Sequence, residues 1–305
     1  MAVRRTDLYL PANNEYMVEK APTRGADVIT LDLEDAVPMT EKAAAREIAK
    51  KWIPKMSVNG AESWVRINAW DTVLTMEDLN AVVMEGLDGI TLPKCSGPDD
   101  VKRLDFMITD LEKKRNLPVG CIKMAILIET AIGIMNVDQA VWCSDRLVAV
   151  IFGAVDYTRD MRVTRTDKAD EQIYARAKIG VAARAAGLVA EDAPFPNYAD
   201  DAAFEANTLS GAQLGFEGRQ IIHPRQIPIA HKVYSPTPER IEWAKKITKA
   251  FEEEGLAKGS ASVGVDGQMI DIPVYRDGLN ILARVKEIEE KEATKKLKFE
   301  RDRNL

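Results

Sequence analysis

Apolar residues along this chain gather into eight short runs, each closed by a turn-forming or charged residue. The runs are Leu8–Leu10 before Pro11, Val28–Leu31 before Asp32, Trp64–Ile67 before Asn68, and Gly89–Leu92 before Pro93 and Lys94. Ile122–Ile128 before Glu129, Leu147–Phe152 before Gly153, Leu188–Ala190 before Glu191 and Gln220–Ile222 before His223 complete the set. Runs this short and continuous suit strands buried on both faces. Between them the texture is helical. Thr40–Lys51 is rich in alanine and charge, and Glu171–Ala186 carries Ile173, Ala177 and Val181 at i, i+4, i+8 ahead of Gly187. Strand and helix alternate roughly every 20–35 residues, the repeat of a (β/α)8 TIM barrel of about 250 residues. A doubly wound open sheet is the alternative, but no G-x-G-x-x-G follows the first run and no G-x-x-x-x-G-K-[ST] occurs. The pattern predicts an α/β fold, a (β/α)8 barrel.

Beyond His223 the texture changes. Ser235–Gly255 opens on a capping serine or threonine with prolines and reads as one helix closed by its glycine. Val263–Val265 and Met269–Ile272 flank Asp266–Gly267, the signature of a hairpin. Asp277–Glu290 is helical again, and the closing KEATKKLKFERDRNL reads as a solvated charged tail. The expected organisation is a catalytic barrel over residues 1–234 and a C-terminal helical extension over 235–305, with a flap around 259–273.

A length of 305 residues admits two small domains or one large barrel, and 46% hydrophobic with 30% charged residues supports a sizeable core. The formal net charge of −6 argues against a general nucleic-acid or membrane surface. The N-terminal MAVRRTDLYLPANN has no long apolar stretch of the secretory kind, and no run reaches membrane-spanning length. Cys95, Cys121 and Cys143 form neither a C-x-x-C nor an even disulfide framework and read as core residues. With two histidines in the chain, a zinc site of Cys and His is not expected. A reduced, cytoplasmic protein is the simplest expectation.

The C-terminal strand ends of such a barrel build its active site, so the residues that close each run are the candidates. Glu129 and Asp156 follow successive runs with one helix-length between them. Two carboxylates on one rim can share a divalent cation through hard oxygen ligands, with Mg²⁺ the expected ion. The alternative is that both cap the helices that follow, where negative charge is favoured. LDLEDAV supplies Asp32, Glu34 and Asp35, WVRIN supplies Arg66 and Asn68, and TLPK supplies Lys94. So many groups of both signs exceed what capping needs. Arg66 reads either as an ion pair with Glu34 or Asp35 across the barrel mouth or as a bidentate clamp on a substrate carboxylate. Lys94 after its proline is equally a surface lysine, and His223 in IIHPRQ reads as a hydrogen-bonded structural residue. These residues alone point to metal-assisted chemistry on a 2-oxo acid or its hydroxy precursor, the cation acting as a Lewis acid.

In chain order, RTDLYLPANN, DVITLDLEDAV, WVRIN, ITLPK, AILIET, FGAVDYTRDMR, LGFEGRQIIHPRQI and GQMIDIPV resemble the citrate lyase β-subunit (CitE-like) group of the HpcH/HpaI aldolase superfamily. Malyl-CoA and citramalyl-CoA lyases are related to that group, and the similarity runs from Arg5 to about Val285. The resemblance implies a Mg²⁺-dependent retro-Claisen lyase. It would split a 3-hydroxyacyl thioester, citryl-, citramalyl- or malyl-CoA or the matching acyl-carrier-protein thioester, into an acetyl thioester and a 2-oxo acid. It assigns the metal to Glu129 and Asp156 and the substrate carboxylate to Arg66, with Glu129 also beside the substrate. Glu34 and Lys94, from the same rim, complete the expected catalytic and substrate-binding set. Asp271 in MIDIP is implied as the acid for the thioester enolate, on a flap that closes over a neighbouring subunit. Its local sequence reads instead as the cap of a turn before Pro273. Tyr9, Tyr16 and Lys20 fall where relatives that bind coenzyme A contact it. Tyr16 stands in place of a basic residue and Ala12 in place of the loop's usual glycine, which leaves an acyl-carrier-protein thioester open. A homotrimer or hexamer, with α and γ lyase subunits as further partners, is also implied.

Three alternatives share parts of this site. A class II pyruvate aldolase would act on free hydroxy-oxo acids, but a flap at Val263–Pro273 suits enclosure of a thioester. A malyl-CoA thioesterase would pass the thioester to water on the same metal. A docking subunit without activity would not need Glu129, Asp156, Arg66 and Asp271 together.

Overall fold

The computed structural model describes residues 2–166, 168–257 and 259–303, the side chains of 299–303 excepted. Among these, eight parallel strands pair in chain order and close into a barrel, the last returning to the first. They are β1 (Thr6–Pro11), β2 (Val28–Asp32), β3 (Glu62–Arg66), β4 (Gly89–Leu92), β5 (Lys123–Ile128), β6 (Leu147–Phe152), β7 (Val189–Asp192) and β8 (Gly218–Ile221). Each expected run lies on one of them. The surrounding helices are α1 (Glu15–Lys20), α2 (Lys42–Met56), α3 (Thr75–Val82), α4 (Pro98–Lys114), α5 (Ala131–Ala140), α6 (Ala154–Asp160), α7 (Ile173–Ala185), α8 (Asp201–Gln213) and α9 (Gln226–Val233).

Alternation along each strand sorts the side chains. Leu8, Leu10, Ile29, Leu31 and Val65 point outward into the core shared with the helices, whereas Trp64, Ala125, Leu127, Ala149 and Ile151 form a separate cluster inside the barrel. A Cβ at Gly89 would lie 2.4 Å from the Trp64 ring, so the indole fills space that only a glycine leaves. The strands on the other side of the interior are polar. Asp7 and Glu191 are buried there, and the Thr30 hydroxyl donates to Asp7 Oδ1 at 2.7 Å.

The extension differs from its sequence pattern in two places. The helix expected over Ser235–Gly255 is α10 (Pro238–Ala250), capped by the Thr237 hydroxyl, and its end widens into a π turn at Phe251–Leu256. The hairpin forms as expected, β9 (Ser262–Val265) against β10 (Gln268–Asp271), with Asp266 and Gly267 at φ of 50° and 75°. It shares a small core with α10 through Ile247, Phe251, Val263 and Ile270.

The charged C-terminal segment is not a solvated tail. Ile272–Arg303 is one helix, α11, about 48 Å long at the usual rise. Its far half docks on the N-terminal face of the barrel. Lys295 Nζ donates to Asp27 Oδ1 at 2.5 Å and to the Gly25 carbonyl at 3.0 Å, and Glu292 pairs with Arg5. The reason lies in Asp27, a fully buried carboxylate that one arginine alone would leave poorly matched. Two further expectations are corrected here: of the cysteines, Cys95 is core, but Cys121 is exposed and Cys143 half-buried.

Candidate active site

The rim of the barrel is assembled by strand register. Asp32 and Arg66 are register partners at the ends of β2 and β3 and both face inward. Arg66 donates through Nε to Asp32 Oδ1 at 2.7 Å and through Nη2 to Oδ2, while Nη1 lies 3.3 Å from Glu34 Oε2. The guanidinium carbon sits 5.3 Å from the centroid of the Tyr9 ring. Burial opposes the charge on Arg66, but Asp32 and Glu34 outweigh it and hold the side chain well above its usual value. The principal ion pair of Arg66 is therefore Asp32, rather than Glu34 or Asp35. Parity along β2 carries this signal, since Asp32 is two residues from the inward Thr30 and directly opposite Arg66.

Lys94 gathers the acids. Its Nζ donates to Glu34 Oε1 at 2.6 Å and lies 3.7 Å from Asp35, so it is no free surface lysine. Its backbone N–H donates to Glu129 Oε1 at 2.8 Å. Burial raises the proton affinity of Glu34 against the pull of Arg66 and Lys94.

Glu129 is 2% exposed. Burial first, then the charge of Glu34, pushes its carboxyl up to about 8 against the opposing charge of Arg66, and Asp156 adds to the effect. Room for it comes from the next strand. A Cβ at Gly153 would lie 2.5 Å from Glu129 Cβ and 2.6 Å from Oε2. Capping does not explain Glu129, because the Thr130 hydroxyl caps α5 by accepting from Gly133 N at 3.1 Å. Asp156 does lie in the first turn of α6, where the helix favours a negative charge, and it pairs with the exposed Arg159.

The two carboxylates suit a hard divalent cation. Among the described residues no three acidic, histidine or cysteine side chains converge as a complete ligand set. Mg²⁺ is usually held by one or two carboxylates and keeps water or substrate oxygens in its other positions. A buried acid that binds its proton tightly in the absence of a cation is the state such an ion would reverse.

The remaining candidates are dispersed. Tyr16 is 70% exposed on α1, with Lys20 Nζ 5.8 Å from its ring centroid. The Tyr9 hydroxyl is instead buried inside the barrel, beneath Arg66. Asp271 closes β10 and accepts from Val274 N at 3.1 Å, which caps α11. Its hairpin packs on α10, the π turn and α11, so one chain does not bring Asp271 to Arg66 and Glu129. His223 stacks on Tyr198 at 4.7 Å and its Nδ1 accepts from Arg225 N, a structural role as expected.

Residues 5–224 match the HpcH/HpaI aldolase/citrate lyase family. The chain is 41% identical to the citrate lyase subunit beta of Leuconostoc mesenteroides subsp. cremoris, over 89% of this chain and 90% of that one. It is 32% identical to the human mitochondrial citramalyl-CoA lyase, over 94% and 87% respectively. The fold superposes on the Mycobacterium tuberculosis protein CitE, solved in complex with magnesium, acetoacetate and coenzyme A. That match has a TM-score of 0.75 and 29% identity and covers 93% of this chain and 98% of that one. With the barrel, its acidic rim and full-length similarity agreeing, the chain belongs to the HpcH/HpaI aldolase/citrate lyase family.

Proposed function

We propose that this protein is a Mg²⁺-dependent carbon–carbon lyase that cleaves a 3-hydroxyacyl thioester of the citryl, citramalyl or malyl class into an acetyl thioester and a 2-oxo acid. The observation that carries this reading is the rim itself. A buried Glu129 with Asp156 as its acidic neighbour is joined through Lys94 and Glu34 to a guanidinium whose Nη1 edge is not taken by Asp32. The relatives named citrate lyase subunit beta and citramalyl-CoA lyase supply the substrate class.

In this reading Glu129 and Asp156 would hold Mg²⁺, which when bound would supply Lewis-acid stabilisation of an anionic substrate oxygen. Arg66 fixes the carboxylate through Nη1, which otherwise faces Glu34, and Asp32 and Tyr9 keep the guanidinium in place. Glu34, whose proton affinity burial raises, takes the hydroxyl proton, and Lys94 holds it in position. As the hydroxyl becomes the keto group, the carbon–carbon bond breaks and its electron pair passes to the thioester enolate. Asp271 protonates that carbon.

Asp271 must then come from a neighbouring copy, in a homotrimer or hexamer. The exposed apolar side chains of Trp142, just past α5, and of Tyr174 and Val181 on α7 offer such an assembly a contact face. In this division residues 1–234 carry the catalysis and 235–305 carry the lid. Tyr16 and Lys20 meet the carrier at the entrance. Service beside α and γ lyase subunits is a second reading, favoured by relatives that are themselves named subunits. Among the described residues no helix is long and apolar enough to cross a membrane. A cytoplasmic location suits the three free cysteines.

The test is an assay of the purified protein with Mg²⁺ against citryl-, citramalyl- and malyl-CoA. Release of a 2-oxo acid from at least one supports the lyase. Release of the free hydroxy acid instead assigns a thioesterase, and inactivity that is reversed by acyl-carrier-protein thioesters or added subunits assigns the complex.

A further inference from the structure

Behind the ends of β7 and β8 lies a cavity of about 220 Å³ that the rim does not use. It is separate from the mouth by strand parity. Glu191 faces the barrel interior, whereas Asp192 and Arg219, its register partner on β8, face outward toward the helices. Asp192 is already held by Arg176, through Nε to Oδ1 at 3.2 Å and through Nη2 to Oδ2.

Arg219 is not matched in this way. It is 1% exposed, yet among the described residues all its partners are neutral. Nη1 donates to the Thr208 hydroxyl at 2.6 Å, and Nη2 donates to the Ala193 carbonyl at 2.6 Å and to Asn207 Oδ1 at 3.1 Å. Its guanidinium carbon lies 4.9 Å from the Phe204 ring centroid. Nε is buried with no hydrogen-bond partner among the described residues. A buried cation is normally paired, and a buried donor is normally bonded. Arg219 lacks both kinds of satisfaction at the wall of a cavity.

We propose that this cavity is a second anion site, in which the unmatched positive charge of Arg219 in its wall draws a compact oxyanion, a carboxylate or a phosphate. Arg176 Nη1, engaged only at 3.5 Å with the Ser210 hydroxyl, offers a further donor. A guanidinium edge matches the planar carboxylate and the phosphate face alike. The volume is below the roughly 300–1,000 Å³ of sites for drug-sized ligands, which favours a small acid over a nucleotide. Barrels commonly place anion sites in the loops that follow their seventh and eighth strands, and this cavity adjoins the first of these. The inference does not depend on the lyase reading.

Isothermal titration of the Mg²⁺-free Arg66→Lys protein with inorganic phosphate, and separately with malonate, tests it. Working in that variant removes the guanidinium of the mouth. Saturable binding of either anion is expected, phosphate alone indicating a tetrahedral ligand and malonate alone a carboxylate. Arg219→Gln should weaken it at least tenfold. Asn207→Asp is the control for folding, because it sets a carboxylate against Nη2 and supplies the missing counter-charge from the chain. It should raise the melting temperature and also weaken binding at least tenfold. No saturable binding of either anion overturns the proposal, as does unchanged affinity in Asn207→Asp.

Discussion

The backbone N–H of Lys94 donates to Oε1 of Glu129 across 2.8 Å, and Lys94 reaches that position with a φ of 51°. A left-handed conformation at a residue with a Cβ costs roughly 1–2 kcal/mol. The turn directs the peptide to one acid while Nζ reaches another, Glu34, at 2.6 Å. A single strained residue thus sets the spacing of two carboxylates on the rim.

Glu129→Gln and Asp156→Asn are each expected to abolish Mg²⁺ binding and turnover while circular dichroism stays native. Titration calorimetry with Mg²⁺ measures this. Unchanged affinity in both variants would move the metal to Glu34 and Asp35.

Arg66→Lys keeps the charge and loses the fork. Hydrogen bonds to charged groups contribute roughly 1.5–3 kcal/mol, so kcat/KM should fall on the order of 10- to 100-fold. A near-native value would mean that Arg66 serves only to close the mouth against Asp32.

Asp271→Asn should still bind Mg²⁺ and a 2-oxo acid but lose turnover, together with exchange of acetyl-thioester methyl protons with solvent. Its hairpin is held away from its own rim, so mixing it with inactive Glu129→Gln should restore part of the activity through hybrid oligomers. Full activity in Asp271→Asn alone would remove the acid role. Dead mixtures with proven subunit exchange would mean that one chain completes the site.

Acid should loosen the C-terminal helix through His231. Burial lowers this imidazole to about 4, with Arg5 and Lys295 acting in the same direction and Asp27 and Glu292 against. Its Nε2 lies 2.9 Å from the Thr6 hydroxyl. Unfolded, it titrates near 6.5. Within that window the unfolded chain holds the extra proton, so this contribution to stability is lost as pH falls from about 6.5 to 4. His231→Gln should flatten the difference between melting temperatures at pH 4.5 and pH 7. An unchanged pH dependence would show that His231 does not couple to folding.

The barrel was legible because each strand is a short apolar run that ends in a residue of another kind; Glu129, Arg66 and Lys94 sit at or just past such ends, and Asp156 one helical turn beyond its own. What escaped was set by distant partners. Asp32 as the anchor of Arg66 depends on inter-strand register, which a linear pattern shows only once the pairing is known. The docking of the segment from Lys291 to Lys298 depends on Asp27, 268 residues away from Lys295, and its charge-rich composition hides the ammonium that is buried there. The family motif places Tyr9 at the coenzyme A contact, whereas β1 carries its hydroxyl into the interior.

Gly153 has no side chain, and the Glu129 carboxylate occupies the space one would take. The two positions are mutually exclusive tenants of one corner, which makes residue 153 a label that can be read in other chains. A sequence with the same strand ends but alanine or anything larger there would have to surrender the acid or displace the sixth strand. Either way the acid of this corner would be lost or moved, and the missing methyl group would tell the two kinds of rim apart from sequence alone.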